Sequence, residues 1–180
     1  MHVPLETEYT ITAGNLIKGL TMFVVILLLF IAIFVPFSLY YYEGEPMAAL
    51  YLGLFFSAIF LLIIGLTWAY SPQKYTVSDT GIRIIRPLSS FLISISKIKK
   101  IEDRTYSNLK LWKMGGNGGL FSFTGSFYTK EDGKFWMYAK NNNYVMIYTT
   151  EKKFVLSPDE KEQFMLDVNS RLNRNKKTKK

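Results

Sequence analysis

The sequence predicts an α-helical transmembrane hairpin, followed by an all-β small barrel or sandwich of about seven short antiparallel strands, capped by a C-terminal helix. Three observations predict it. Residues 19–42 and 46–73 contain no charged side chain, and the only charges between them are Glu43 and Glu45. From residue 74 onward the apolar pattern shortens to strand-length runs with alternation. Near the C-terminus Phe164, Met165, Val168 and Leu172 form one stripe at helical spacing.

A helix that crosses a bilayer needs about 20 apolar residues. The two apolar runs meet that length and place spans at about 16–40 and 47–70 within a hairpin covering 16–72. Asn15 reads as the N-cap of the first span, and Pro36 as a kink near its far end. Tyr40, Tyr41 and Tyr42 mark one interfacial belt, and Trp68 and Tyr70 the other. The first run is too long for the apolar region of a signal peptide, so it reads as a retained anchor. Ala49, Gly53 and Ser57 recur every four residues on the second span. Such a small-residue stripe lets helices approach closely, either within the hairpin or in a homo-oligomer.

Charge orients the hairpin. The chain has 22 Lys and Arg, 14 Asp and Glu, and a net charge of +8. Up to residue 73 the balance is −3, with Lys18 the sole base; from Lys74 onward it is +11. The acidic turn around Glu43 and Glu45 carries no Lys or Arg. The positive-inside rule therefore puts both termini in the cytoplasm of a multi-pass protein of the cytoplasmic (inner) membrane. Residues 1–15 read as a short cytoplasmic segment outside the β-domain.

The β-domain is expected over 73–173. Tyr75, Thr76 and Val77 form a first run, Ser78-Asp79-Thr80-Gly81 a turn, and 82–86 a second run. A third run covers 91–95. Ile95, Ile98 and Ile101 suggest a helical turn that leads into a strand at 101–104. Further strands are read at 109–112, 120–128, 135–139, 144–149 and 152–156. Gly115, Gly116, Gly118 and Gly119 read as a tight strand connection that needs positive φ. Ser157, Pro158 and Glu160 form an N-terminal helix signature, with Ser157 as cap and Glu160 closing a capping box. The helix is expected to end near 173, and 174–180 to be a basic tail. From Arg171 onward, too much charge accompanies too little apolar surface for packing.

This order of strands and one final helix resembles the bacterial PH-like (pleckstrin-homology-like) domain families. The residues that carry the resemblance are Gly115-Gly116-Asn117-Gly118-Gly119-Leu120-Phe121, Gly125, Phe127, Tyr144-Val145-Met146-Ile147-Tyr148, and Phe154-Val155-Leu156-Ser157-Pro158-Asp159-Glu160, with Phe164 in the helix. The resemblance implies a PH-like fold over about 73–173 behind a two-span anchor. Lipid-binding eukaryotic members use a long basic first loop. The matching loop here, Ser78-Asp79-Thr80-Gly81, is short and acidic, so a phosphoinositide ligand is not carried over.

Composition narrows the chemistry. No Cys is present, which excludes disulfides, thiolate zinc sites and Cys nucleophiles, and His2 is the single histidine. The acid pairs Glu102-Asp103, Glu131-Asp132 and Asp159-Glu160 fall at a strand end, a turn and a helix cap, so no cleft is expected to gather them. The glycine stretch lacks the spacing of a phosphate loop. No enzyme activity, cofactor or metal is expected. Nucleic acid is disfavoured, because Trp112, Phe121, Phe123, Trp136 and Tyr138 are needed for a core.

Three basic groups remain. One is Lys97, Lys99, Lys100 and Arg104. The second is Arg171, Arg174, Lys176, Lys177, Lys179 and Lys180. The third, Lys74, Arg83 and Arg86, stands at the membrane exit. The first two are the candidate contacts for anionic lipid or a partner. The expected function is a non-enzymatic, membrane-anchored module that binds a protein partner or its own copies at the cytoplasmic membrane surface. The alternative is a small accessory or bacteriocin-immunity-type membrane protein acting through its hairpin.

Overall fold

The computed structural model describes residues 6–44, 46–104 and 111–178. Strand β1 (Thr7–Thr10) precedes helix α1 (Asn15–Ser38), a π-helical turn (Leu39–Glu43) and helix α2 (Pro46–Ala69). Then come β2 (Lys74–Ser78), β3 (Gly81–Ile85), β4 (Ser90–Ser94), a 3₁₀ turn (Ile95–Lys97) and β5 (Ile98–Arg104). The series closes with β6 (Trp112–Gly118), β7 (Phe123–Thr129), β8 (Gly133–Ala139), β9 (Tyr144–Thr149), β10 (Lys153–Leu156) and helix α3 (Lys161–Thr178).

Helices α1 and α2 are both long and apolar enough to cross a membrane, and their side chains are largely uncovered by the rest of the chain. Position Gly14, not Asn15, caps α1, and no side chain caps its first turn. Gly14 donates its N–H to the Lys140 carbonyl at 2.7 Å, and a side chain there would stand 3.4 Å from the Asn141 backbone. Pro36 has no N–H to give the helix, and two residues after it α1 gives way to the π-helical turn.

The strands form two sheets, ordered β1-β2-β3-β4 and β5-β9-β10-β8-β7-β6. The expected small barrel is therefore open, not closed. Pairing is antiparallel throughout except that β10 lies parallel to β8, with Val155 opposite Met137. Alternation is clean in β3, where Ile82 and Ile84 are buried and Arg83 is exposed. Strand β9 is buried on both faces: Val145 and Ile147 join a core with β2, β3 and α3, while Tyr144 and Met146 join Phe127, Phe135 and Met137 on the other side. A continuous apolar run such as Tyr144-Val145-Met146-Ile147 follows from that double burial.

Helix α3 lies over the first core, as its stripe predicts. Phe164, Val168 and Leu172 are buried, and the Phe164 ring meets Tyr9 edge-on at 5.1 Å. Four further local expectations fail. The segment before the hairpin is part of the β-domain: β1 pairs with β2, Tyr9 opposite Tyr75, and Tyr9 and Ile11 are core residues. Ser157 does not cap α3, which starts at Lys161; its hydroxyl accepts the Lys140 N–H at 2.8 Å in a buried strand junction. Gly115, Gly116 and Gly118 lie inside β6, with a bulge between Lys113 and Gly115, and not in a strand connection. Helix α3 continues to Thr178, beyond the expected end near 173. In the strand read at 109–112, residues 109 and 110 lie outside the described residues.

Candidate functional site

The six-stranded sheet has two edge strands, β5 and β6, and the shape of β6 is set by glycine. Gly116 and Gly125 face each other across the β6–β7 pair at φ +105° and +136°. A side-chain carbon at Gly116 would meet the Thr124 carbonyl oxygen at 2.3 Å, and one at Gly125 the Gly115 oxygen at 2.2 Å. Only glycine permits that approach. At the hairpin tip the Asn117 side chain bridges the turn, accepting the Leu120 N–H at 3.1 Å and donating to the Leu120 carbonyl. The tip is then tied to α1: the Phe121 N–H donates to Thr21 Oγ1 at 2.9 Å, and the Thr21 hydroxyl reaches the Gly119 carbonyl at 3.4 Å. One end of the edge strand is thus fixed on the first apolar helix. Toward the other end, Trp112 and Met114 are 59% and 61% exposed. Among the described residues nothing pairs with the outer side of β6.

The basic residues singled out in the sequence fall into different settings. Lys97 pairs with Glu151 at 2.7 Å and Lys100 with Glu102 at 2.5 Å, both on the surface. The Lys100 hydrogen bond holds the Glu102 carboxyl below its ordinary range, and the same bond raises Lys100. The Arg104 guanidinium donates to Tyr148 Oη at 2.8 Å and to Asp132 Oδ1 at 3.1 Å. Lys99 is exposed. Together with Lys134, Lys152 and Lys153, Lys99 and Lys100 line a shallow depression of about 460 Å³ beside Tyr148 and Glu151.

Arg171 belongs to no free tail. It is 5% exposed and donates to Asp167 Oδ1 at 2.7 Å, Thr7 Oγ1 at 3.2 Å and Asp79 Oδ1 at 3.3 Å. Burial opposes its charge, but the Asp167 and Asp79 carboxylates more than offset that and raise its pKa. Arg174 is exposed and pairs with Asp79 at 3.2 Å. Lys176 is exposed on α3. Lys177 continues the helix, and Lys179 and Lys180 lie outside the described residues.

The small-residue stripe divides. Ala49 is buried, and Gly53 lies against Pro36 of α1, where an added side-chain carbon would meet Pro36 Cγ at 3.1 Å. Ser57 is exposed. Ala49 and Gly53 therefore serve the hairpin itself.

Acidic residues serve the scaffold as well. Asp103 pairs with Lys161 at 2.8 Å. The Asp159 carboxylate accepts the Thr12 N–H at 2.9 Å, hydroxyls from Thr10 and Thr12, and the Asn141 side-chain amide at 2.9 Å. This clasp ties the stretch between β1 and α1 to the start of α3, and sequence reasoning missed it. No group of His, Asp or Glu able to hold a metal occurs among the described residues.

An apolar helical hairpin carrying a two-sheet β-domain capped by a helix, with an open strand edge beside the hairpin, defines a PH-like module on a helical stalk. The family model described as "Bacterial PH domain" matches residues 73–172, more than half of the chain. The chain belongs to the bacterial PH domain family. Comparisons with curated proteins and with solved structures gave no match.

Proposed function

We propose that the protein is a non-enzymatic interaction module held on the cytoplasmic face of a membrane by its helical hairpin, where β6 recruits a protein partner by accepting an added strand. One observation carries the reading: an outer strand of seven residues, tied at its tip to Thr21 of the hairpin, presents an unpaired edge flanked by exposed Trp112 and Met114. Soluble proteins normally cover or blunt such edges. Strand addition takes affinity from backbone hydrogen bonds and specificity from side chains such as these. The charge asymmetry across the hairpin supports the orientation, and confinement to the membrane surface raises the effective concentration toward other membrane proteins. PH-like domains are generally non-enzymatic, which supports a binding role.

The test is site-specific photo-crosslinking in cells. A photoreactive residue at Met114 should give a discrete adduct, and the same residue at Asn142, on the β8–β9 loop, should not. An added Trp112→Glu change should abolish the adduct while leaving thermal stability unchanged. An adduct at twice the chain mass would identify the partner as a second copy. Equal labelling from both positions would sink the reading.

A further inference from the structure

An open groove of about 620 Å³ lies between the last turns of α2 and the face of the six-stranded sheet. Ile63, Leu66, Thr67 and Tyr70 form one wall, and Trp136 and Tyr138 stand opposite. Gly116, Gly118 and Gly125 line the groove beside Asn117, Leu120 and Thr124. Two cations line it, Arg86 and Lys113, and no carboxylate does.

Arg86 is the unusual member. Its guanidinium lies 5.7 Å from the Tyr70 ring centre and 5.8 Å from that of Tyr138. Its Nε is buried and has no hydrogen-bond partner. Arg104 Nε is likewise buried without a partner, but Arg104, Arg171 and Arg174 each have a carboxylate oxygen within 3.3 Å, and no ion pair joins Arg86 to a carboxylate among the described residues. Two rings hold the Arg86 fork in place, yet its desolvated donor still needs an acceptor. A planar guanidinium matches the paired oxygens of a phosphate.

We infer that this groove holds one anionic glycerophospholipid of the adjacent leaflet, its phosphate on Arg86 and Lys113 and one acyl chain against Ile63 and Leu66. Charge complementarity selects an anion. Continuity selects a lipid: the apolar wall is the end of α2 itself, with Ile63 and Leu66 41% and 47% exposed, and Tyr70 sits where an interfacial aromatic belongs. The volume falls in the range of about 300–1,000 Å³ usual for small-molecule sites. The groove shares Lys113, Gly116 and Gly118 with β6, and the inference rests only on the membrane part of the proposed function.

The test uses the full chain. Resistance to carbonate extraction first establishes the anchor, and extraction into the soluble fraction would overturn the anchor reading instead. The protein in mild detergent is then titrated with phosphatidylglycerol and with phosphatidylcholine of the same chains, and bound lipid is counted by native mass spectrometry. One phosphatidylglycerol per chain should bind at least tenfold more tightly than phosphatidylcholine. R86Q should erase that preference, and R86K should keep part of it. T67F, which adds bulk to the groove and no charge, should weaken both lipids. Excess inorganic phosphate should not displace the lipid. Equal affinity for the two lipids, wild-type binding by R86Q or T67F, or displacement by phosphate would each overturn the inference.

Discussion

Arg171→Ala separates a charged tail from a structural cation. Arg171 is 5% exposed, its partner Asp167 is 14% exposed, and Tyr9 Oη also donates to that carboxylate at 3.3 Å. Truncation leaves Asp167 with one phenol donor and removes the link from α3 to Asp79 and Thr7. Breaking a buried pair by removing one partner costs about 3–5 kcal/mol. Asp79 is 58% exposed, so that arm adds little, and the expected loss is about 2–4 kcal/mol. Arg174→Ala removes the same charge from an exposed pair, and its cost should stay below about 1 kcal/mol. The assay is chemical unfolding of the full chain in detergent, followed by near-ultraviolet circular dichroism. A double-mutant cycle with Asp167→Ala should give coupling above about 1 kcal/mol. Equal effects of the two arginine changes would refute the buried role of Arg171.

Two further outcomes follow from polar contacts between distant parts of the chain. Asp159→Ala should release the clasp on Thr10, Thr12 and Asn141, so hydrogen exchange should rise across residues 7–12 while the middle of α3 stays protected. Unchanged exchange at 7–12 would contradict the clasp. Burial raises the phenol pKa of Tyr9 (to about 12), Tyr75, Tyr138 and Tyr144 above the ordinary 10.0. Their contribution is complete below pH 10 and falls from there toward pH 12, because the unfolded chain releases protons that the fold retains. Tyr75→Phe also removes hydrogen bonds with the Ser157 N–H and the Tyr138 carbonyl. It should therefore be less stable than wild type at pH 8, with a gap that narrows toward pH 12. A constant gap would show that Tyr75 does not titrate with folding.

The hairpin, most of the β2–β10 series and the stripe of α3 were legible because each is a local pattern: a long apolar run, an alternation, or a spacing of three and four. What was not legible depends on partners far along the chain. Strand β1 has four residues, and its pairing partner lies beyond both helices, so Tyr9 and Ile11 carry no local signal of core membership. Ser157 shows a helix-cap pattern, but tertiary contacts use its hydroxyl at the β8 end. Gly116 reads as part of a strand connection, yet its positive φ, with that of Gly125 opposite, serves a bulged strand pair. Arg171 was read by composition, whereas Asp167 one helical turn earlier and Asp79 across the fold decide its place. The site was less legible than the fold. The sequence separated the basic groups well, but could not show that Lys97, Lys100 and Arg104 have carboxylate partners or that the tip of β6–β7 is tied to Thr21.

The proposed function requires that the hairpin hold the β-domain on the cytoplasmic side of a membrane. The chain contains no cysteine, so single cysteines report cleanly. Gly44 is exposed in the turn between the helices, and Asn142 is exposed on the β8–β9 loop. In intact cells an impermeant thiol reagent should label Gly44→Cys and leave Asn142→Cys untouched until the membrane is opened. Labelling of Asn142→Cys in intact cells, with Gly44→Cys protected, would contradict this orientation.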